Sequence, residues 1–276
     1  MRLTCGDRVL DLSRPAVMGV LNITDNSFSD GGRYRSFDSA VAHGLAMVEA
    51  GASLIDVGGE STRPGAAPVP LQEELDRVVP VIQALSTRLD AVISVDTMKP
   101  QVMREAIAAG AGMVNDVMGL QAPGAMEAVA ATRAAACLMH MQGEPRTMQQ
   151  DPHYEDVVAE VGLFLEHRAQ ACVAAGIAAD RIVLDPGFGF GKTLQHNLQL
   201  LAGLPRITAG RYPVLVGMSR KSMLGKLTGR PVEQRLAGSL ALHTIATLHG
   251  AHIIRAHDVA ETRDAVAVAW AARQET

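Results

Sequence analysis

The sequence predicts an α/β fold, a single (β/α)8 barrel that takes residues 1–276 as one domain behind a short N-terminal β-hairpin. Three observations carry this expectation. Short apolar runs alternate with longer segments of helical spacing throughout the chain, and eight such runs can be counted. The length of 276 residues is close to the roughly 250 of one closed barrel. The core material is aliphatic, since 48% of residues are hydrophobic and only 3% aromatic. That suits parallel strands buried on both faces. An open doubly wound sheet is the competitor, and a count of eight favours closure into the TIM-barrel architecture.

The elements follow in order. Residues 2–4 and 8–12 read as strand-like pieces able to form a hairpin lid over the barrel's N-terminal end. The eight runs begin with AVMGVLN closing at Asn22, SLIDVGGE closing at Glu60, AVISVD closing at Asp96, and GMVND closing at Asn115 and Asp116. They continue with ACLMHMQ carrying His140 and Gln142, RIVLD closing at Asp185, PVLVGMS closing at Ser219, and AHIIRAHD carrying Arg255 and His257. Between them, apolar residues three and four apart predict helices over 39–50, 71–89, 100–109, 157–175, 236–248 and 258–272. Gly51, Gly110, Gly176 and Gly250 each follow a helical run and precede a strand, as a glycine C-cap does.

Composition excludes several classes. With 25 basic and 29 acidic residues the net charge is −4, which gives no overall field for nucleic acid or an anionic membrane. Any anionic ligand needs a local basic cluster. Cys5, Cys137 and Cys172 are odd in number and widely spaced, so neither a disulfide framework nor a zinc site is expected, and a reducing compartment, the cytoplasm, fits best. The first residues lack a long apolar stretch, and no window reads as a membrane span.

In a (β/α)8 barrel the strands' C-terminal ends build the active site. The polar run-ends, scattered over the chain, therefore converge on one mouth. A lone Asp or Asn after a strand is more often a helix cap or turn former. Eight in register are harder to explain that way. Asp96, Asn115 and Asp185 form an acidic and amide group suited to general acid/base work, to metal ligation, or to accepting paired N–H bonds from a flat heterocycle. Ser219-Arg220-Lys221-Ser222 and Arg255-Ala256-His257 follow the seventh and eighth runs, where such barrels commonly hold phosphate, and Arg63 adds a cation from the second loop. A surface Arg220 and a structural His257 are the plainer alternatives. The 186–193 segment, PGFGFGKT, mimics the end of a P-loop but has Pro186 where the first glycine belongs. It reads instead as a glycine-rich loop that lets backbone approach a ligand, with Phe188 or Phe190 as a stacking face. No H-E-x-x-H or paired histidine spacing points to zinc.

Over essentially its whole length the chain resembles the dihydropteroate synthase family of pterin-binding TIM-barrel enzymes. The resemblance rests on NITDNSFSDGG at 22–32, DVGGESTRPG at 56–65, SVDT at 94–97, Asn115-Asp116, LMHMQ at 138–142, DPGFGFGK at 185–192, GMSRK at 217–221 and RAHD at 255–258. It implies a transferase of folate biosynthesis. The amine of p-aminobenzoate attacks the exocyclic methylene of 6-hydroxymethyl-7,8-dihydropterin diphosphate, and pyrophosphate leaves to give 7,8-dihydropteroate.

By the same resemblance Asp96, Asn115, Asp185, Lys221, Arg255 and Phe190 bind the pterin, with Arg255 stacking on the ring. Asn22, Arg255 and His257 bind the diphosphate, with Mg2+ at Asn22. Thr62, Arg63, Ser219, Lys221, Phe28 and Phe190 frame p-aminobenzoate. Asp30, Lys221, Arg255 and His257 are the catalytic candidates, Asp30 acting when the first two loops close. Sulfonamides are implied as competitors, and a homodimer is implied as the assembly. The family's Pro-Asp is replaced here by Asp25-Asn26, which removes a stiffening proline and puts a role for position 26 in doubt. A pterin-binding methyltransferase barrel would share the acidic pocket but not need the two basic clusters. A catalytically silent pterin-binding protein would be expected to have lost them, and a weak homologue of altered amine specificity lies between.

Overall fold

A computed structural model of the chain describes residues 1–23, 33–61, 67–143 and 147–275, with the side chains of 33–36 left aside. Two strands, β1 (Arg2–Cys5) and β2 (Arg8–Asp11), pair antiparallel as the expected hairpin. Eight parallel strands follow among the described residues: β3 (Ala16–Asn22), β4 (Leu54–Gly58), β5 (Val92–Asp96), β6 (Met113–Asp116), β7 (Ala135–Met139), β8 (Ile182–Asp185), β9 (Leu215–Val216) and β10 (Ile253–Ala256). They run in the order β8-β7-β6-β5-β4-β3-β10-β9. A parallel bridge between Leu184 and Val214, with Leu184 N donating to Pro213 O at 2.9 Å, joins β8 to the start of β9 and completes the barrel.

The helices are α1 (Arg33–Glu49), α2 (Leu71–Ser86), α3 (Pro100–Ala108), α4 (Ala125–Ala130), α5 (Val157–Ala174), α6 (Leu194–Ala202), α7 (Pro205–Thr208), α8 (Ser222–Thr228), α9 (Leu236–Leu248) and α10 (Val259–Arg273). The six helices expected from spacing are present, α9 to the residue. Four more, α4, α6, α7 and α8, were not expected; α4, α7 and α8 have seven residues or fewer, too few to show a helical period, whereas α6 is as long as α3. Strand β9 is also shorter than its run, with Gly217–Ser219 leaving the sheet. Gly51, Gly110, Gly176 and Gly250 all adopt positive φ, from 90° to 110°, as helix-ending glycines. No helix among the described residues is long and apolar enough to cross a membrane.

Two apolar layers follow from the period of two along each strand. Val17, Leu21, Ile55, Val57, Ile93, Val95, Val114, Leu138 and Val216 belong to the layer packed with the helices. The alternate positions Ala16, Met18, Leu54, Val92, Met113, Ala135, Cys137, Val183, Leu215 and Ile253 fill the barrel interior. Leu3, Cys5 and Leu12 complete that inner cluster, so the hairpin plugs the N-terminal end. Gly112 permits this closeness, since a Cβ there would stand 2.7 Å from the Cys5 carbonyl oxygen. All three cysteines are buried and free.

Candidate active site at the C-terminal mouth

Continuing the interior positions toward the strands' C-terminal ends turns apolar residues into polar ones. On β4 the inward series is Leu54, Asp56, Gly58; on β5 it is Val92, Ser94, Asp96; on β6, Met113 and Asn115; on β8, Val183 and Asp185; on β10, Ile253 and Arg255. Sheet register then lines up Asn22, Gly58, Asp96 and Asn115 on four successive strands. Of the residues expected to meet at the mouth, Asn22, Asp96 and Asn115 are thus brought together.

Arg255 ties the acidic group together. Its Nε donates to Asp56 Oδ2 at 2.7 Å and its Nη2 to Asp96 Oδ2 at 2.8 Å, while Asn115 Nδ2 donates to the same Asp56 oxygen at 2.9 Å. Asp56 is fully buried, and its Oδ1 finds no hydrogen-bond partner among the described residues. Burial, reinforced by the Asp56 charge, raises Asp96 to about 7 against the pull of Arg255. Burial likewise raises Asp185, with Lys221, Arg255 and Lys192 opposing it. For Arg255, burial opposes the charge, but Asp56 and Asp96 outweigh it and hold the guanidinium firmly protonated. Asp56 was not singled out by sequence. Its signal is the alternation in LIDVG, which puts an acid two residues beyond an interior leucine.

Lys221 stands half-buried across the mouth. Its Nζ donates to the Phe188 carbonyl and lies 4.6 Å from the centre of the Phe190 ring. Burial lowers its pKa to about 8, with Asp185 opposing. His257 N and Nδ1 lie 3.2 and 3.0 Å from Ser219 Oγ, joining the ends of the seventh and eighth units. Asn22 is exposed at the rim, and Gly58 leaves room between it and Asp96, since a Cβ there would stand 3.5 Å from both Asn22 Oδ1 and Asp96 Cβ. Phe28, Asp30, Thr62, Arg63 and the Asp25-Asn26 pair lie outside the described residues.

Several polar run-ends do other work. Asp116 faces away from Asn115 and accepts from Met118 N and Leu120 N at 2.8 and 2.9 Å, a turn-forming role. Gln142 is committed to the His153 backbone at 2.9 and 3.0 Å. Glu60 binds Lys99, which also binds the buried Glu74; Glu74 accepts from Thr97 Oγ1 at 2.6 Å, immediately behind Asp96. Arg220 is not open to an anion: its Nε and Nη2 form a forked pair with Asp258, with the Nε bond at 3.0 Å.

The glycine-rich segment needs a correction. Phe188 is fully buried and cannot stack on a ligand, whereas Phe190 is half-exposed under Lys221. The backbone that approaches it is the protein's own. A Cβ at Gly187 would stand 1.9 Å from the His140 carbonyl oxygen, and one at Gly191 2.4 Å from that of Gln142. Side chains also take its carbonyls in turn: Lys192 holds those of Gly187 and Phe190 at 2.9 and 3.0 Å, Gln149 that of Gly189 at 2.6 Å, Tyr154 that of Gly191 at 2.8 Å, and Lys221 that of Phe188. Sequence showed the glycines but not who fills the space they leave.

A barrel whose mouth joins buried carboxylates, an amide and the cations Lys221 and Arg255 is the active-site architecture of an α/β-barrel enzyme for a small polar ligand. Residues 18–257 match the family model described as pterin binding enzyme. The chain is 54% identical over 268 residues to dihydropteroate synthase of Escherichia coli (strain K12), covering 97% of this chain and 95% of that one. Its fold overlays a Yersinia pestis dihydropteroate synthase solved with a sulfonamide drug at a TM-score of 0.94, with 54% identity, 99% of this chain and 100% of that one. A Xanthomonas albilineans dihydropteroate synthase in complex with 7,8-dihydropteroate overlays at 0.90, with 52% identity and 100% of both chains. The chain belongs to the dihydropteroate synthase family.

Proposed function

We propose that the chain catalyses the dihydropteroate synthase reaction: transfer of the pterin methylene from a diphosphate leaving group to the amine of p-aminobenzoate. The C–O bond to the diphosphate breaks, a C–N bond forms, and the amine loses a proton. The observation that carries this is the Asp56–Arg255–Asp96 junction beside Asn115, with Asp185 and Lys221 across the same mouth.

Asp96, Asn115 and Asp185 offer acceptors and a donor to the edge of the pterin ring, and Phe190 and Arg255 offer flat faces to it. Arg255 has Nη1 without a partner among the described residues. It and His257 take up the charge that grows on the departing diphosphate, together with Asn22. Ser219 orients His257 and, with Lys221, frames the p-aminobenzoate position. Thr62, Arg63 and Phe28 are assigned to that substrate, and Asp30 a catalytic part, on their matching motifs. No covalent enzyme intermediate is required.

Mg2+ suits this arrangement. The described residues contain no cluster of three acidic, histidine or cysteine ligands, so a self-sufficient protein cage is not offered there. A hard cation that keeps most of its waters needs only one or two protein oxygens plus substrate phosphates, and the exposed Asn22 amide oxygen meets that demand. Bound there, the ion would neutralise charge on the diphosphate. The protein is further proposed to work in the cytoplasm as a homodimer, with sulfonamides competing for the p-aminobenzoate position. The direct test mixes purified protein, Mg2+ and the pterin diphosphate with or without p-aminobenzoate. Amine-dependent pyrophosphate release, with 7,8-dihydropteroate as product, is expected. Release that ignores the amine would refute the transfer.

A further inference from the structure

Behind the mouth lies a lysine for which the transfer reaction has no direct use. Lys192 is 2% exposed, and its Nζ lies 2.9 Å from Gly187 O, 3.0 Å from Phe190 O and 2.9 Å from His140 Nδ1, with His140 O farther off at 3.4 Å. Burial lowers His140 to about 3, with Lys192 adding to the shift, so the imidazole is neutral. Its Nδ1 lone pair then accepts from the ammonium, which places the ring proton on Nε2. Three short acceptors meet three ammonium protons.

A cation is an unfavourable group to bury, and burial lowers Lys192 itself to about 7 despite Asp185 nearby. If the segment needed only filling, an uncharged chain of equal length would pack there without that penalty. The ammonium does what such a chain cannot. It draws two carbonyls of the 185–192 turn and the side chain following β7 to a single point.

That point controls the mouth through short links. Gly187 N donates to Asp185 Oδ1 at 2.7 Å, Phe188 O accepts from Lys221, and the Phe190 ring supports the Lys221 ammonium. Fixing Gly187 and Phe190 therefore fixes three ligand-facing side chains at once. We propose that Lys192, anchored by His140, is a positioning residue for the pterin ring, setting the turn that holds Asp185, Phe190 and Lys221 in register while touching no substrate atom. This rests on the pterin-transfer reading above.

The test uses two probes that load different parts of the mouth: 6-hydroxymethyl-7,8-dihydropterin, which carries no phosphate, and inorganic pyrophosphate with Mg2+. Both are titrated calorimetrically into the wild-type protein and Lys192→Met. The variant is expected to bind the pterin about tenfold more weakly, the equivalent of one or two lost hydrogen bonds, and pyrophosphate unchanged. The KM for the pterin diphosphate should rise in parallel. Equal pterin affinity in the two proteins would overturn the positioning role, as would equal loss for both probes, which signals general loosening. A wild-type protein that binds pyrophosphate but no pterin would instead overturn the pterin reading, and this proposal with it.

Should Lys192→Met fail to fold, His140→Phe decides. It removes one acceptor while keeping a ring against Phe164, whose centroid lies 4.9 Å away. A selective loss of a few-fold on the pterin arm supports the proposal, and no loss there sinks it.

Discussion

The two ends of this barrel are made from the same strands and the same alternation, yet they are chemical opposites. At the N-terminal end the inward positions are Met18, Leu54, Val92, Met113 and Ile253, sealed by Leu3 and Cys5 of the hairpin. One inward step further along, about 7 Å at the rise of a strand, β4 and β10 present Asp56 and Arg255. Among the described residues the inner cluster at the plugged end is apolar, and the buried cation beside it, Arg181, is satisfied by the Ala134 and Val129 carbonyls with no carboxylate brought inside. The open end tolerates buried carboxylates because Arg255 neutralises them and a ligand can reach them. What differs is the access that the hairpin denies at one end, not the secondary structure. Two cavities of about 410 Å3 flank the lower barrel, one beside Arg263 and Trp270 and one beside Arg8 and Arg133, and neither is lined by a mouth residue.

The largest effect should come from breaking the charged end. Arg255→Met leaves Asp56 and Asp96 facing each other without their shared cation. Removing one partner from a buried ion pair costs roughly 3–5 kcal/mol, and losing a charge-stabilising donor costs roughly 100- to 1000-fold in turnover. Urea denaturation and steady-state kinetics should register both losses together. Unchanged stability would mean the carboxylates are protonated or solvated, and the contrast between the two ends would lose its electrostatic basis.

Much of this contrast was legible in the sequence. Eight apolar runs ending in polar residues gave both the barrel and the convergence of Asp96, Asn115, Asp185, Lys221, Arg255 and His257. What was not legible is which way each polar residue faces and what it touches. Asn115 and Asp116 are neighbours in sequence, but the pleat sends one into the mouth and the other to cap a turn. Arg220 looked as available as Lys221 until Asp258, distant in sequence, occupied it. The glycines of 185–192 advertised close approach without saying that His140 and Gln142 were what approached. Local pattern encodes periodicity; partner identity is a long-range property.

A smaller effect is expected at the sealed end, and of stability alone. Leu3 is fully buried in the inner cluster. Leu3→Ala should cost about 2–5 kcal/mol, the range for a leucine truncated in a packed core. The kcat and KM at 25 °C should stay at wild-type values, because the plug and the mouth share no side chain. A fall in kcat for the folded variant would show that the ends are mechanically coupled.

The finest probe of the comparison is the proton on Asp96. Its folded pKa is raised to about 7, from an ordinary value of 3.8, chiefly by burial and then by Asp56. Between those two values the folded protein holds a proton that the unfolded chain has released, so this group makes stability fall as pH rises from about 4 to about 7. Below that window both states are protonated and the contribution is constant. Asp96→Asn removes the titration but leaves Asp116 and Asp185, whose pKa values are also raised by burial, so only one proton's share of the slope should vanish. That share is at most about 1.4 kcal/mol per pH unit. Urea midpoints measured in steps across this range should show a flatter profile for the variant. Parallel profiles would mean that Arg255 keeps Asp96 ionised throughout, and the open end would then hold its carboxylate by pairing alone, with burial playing no part.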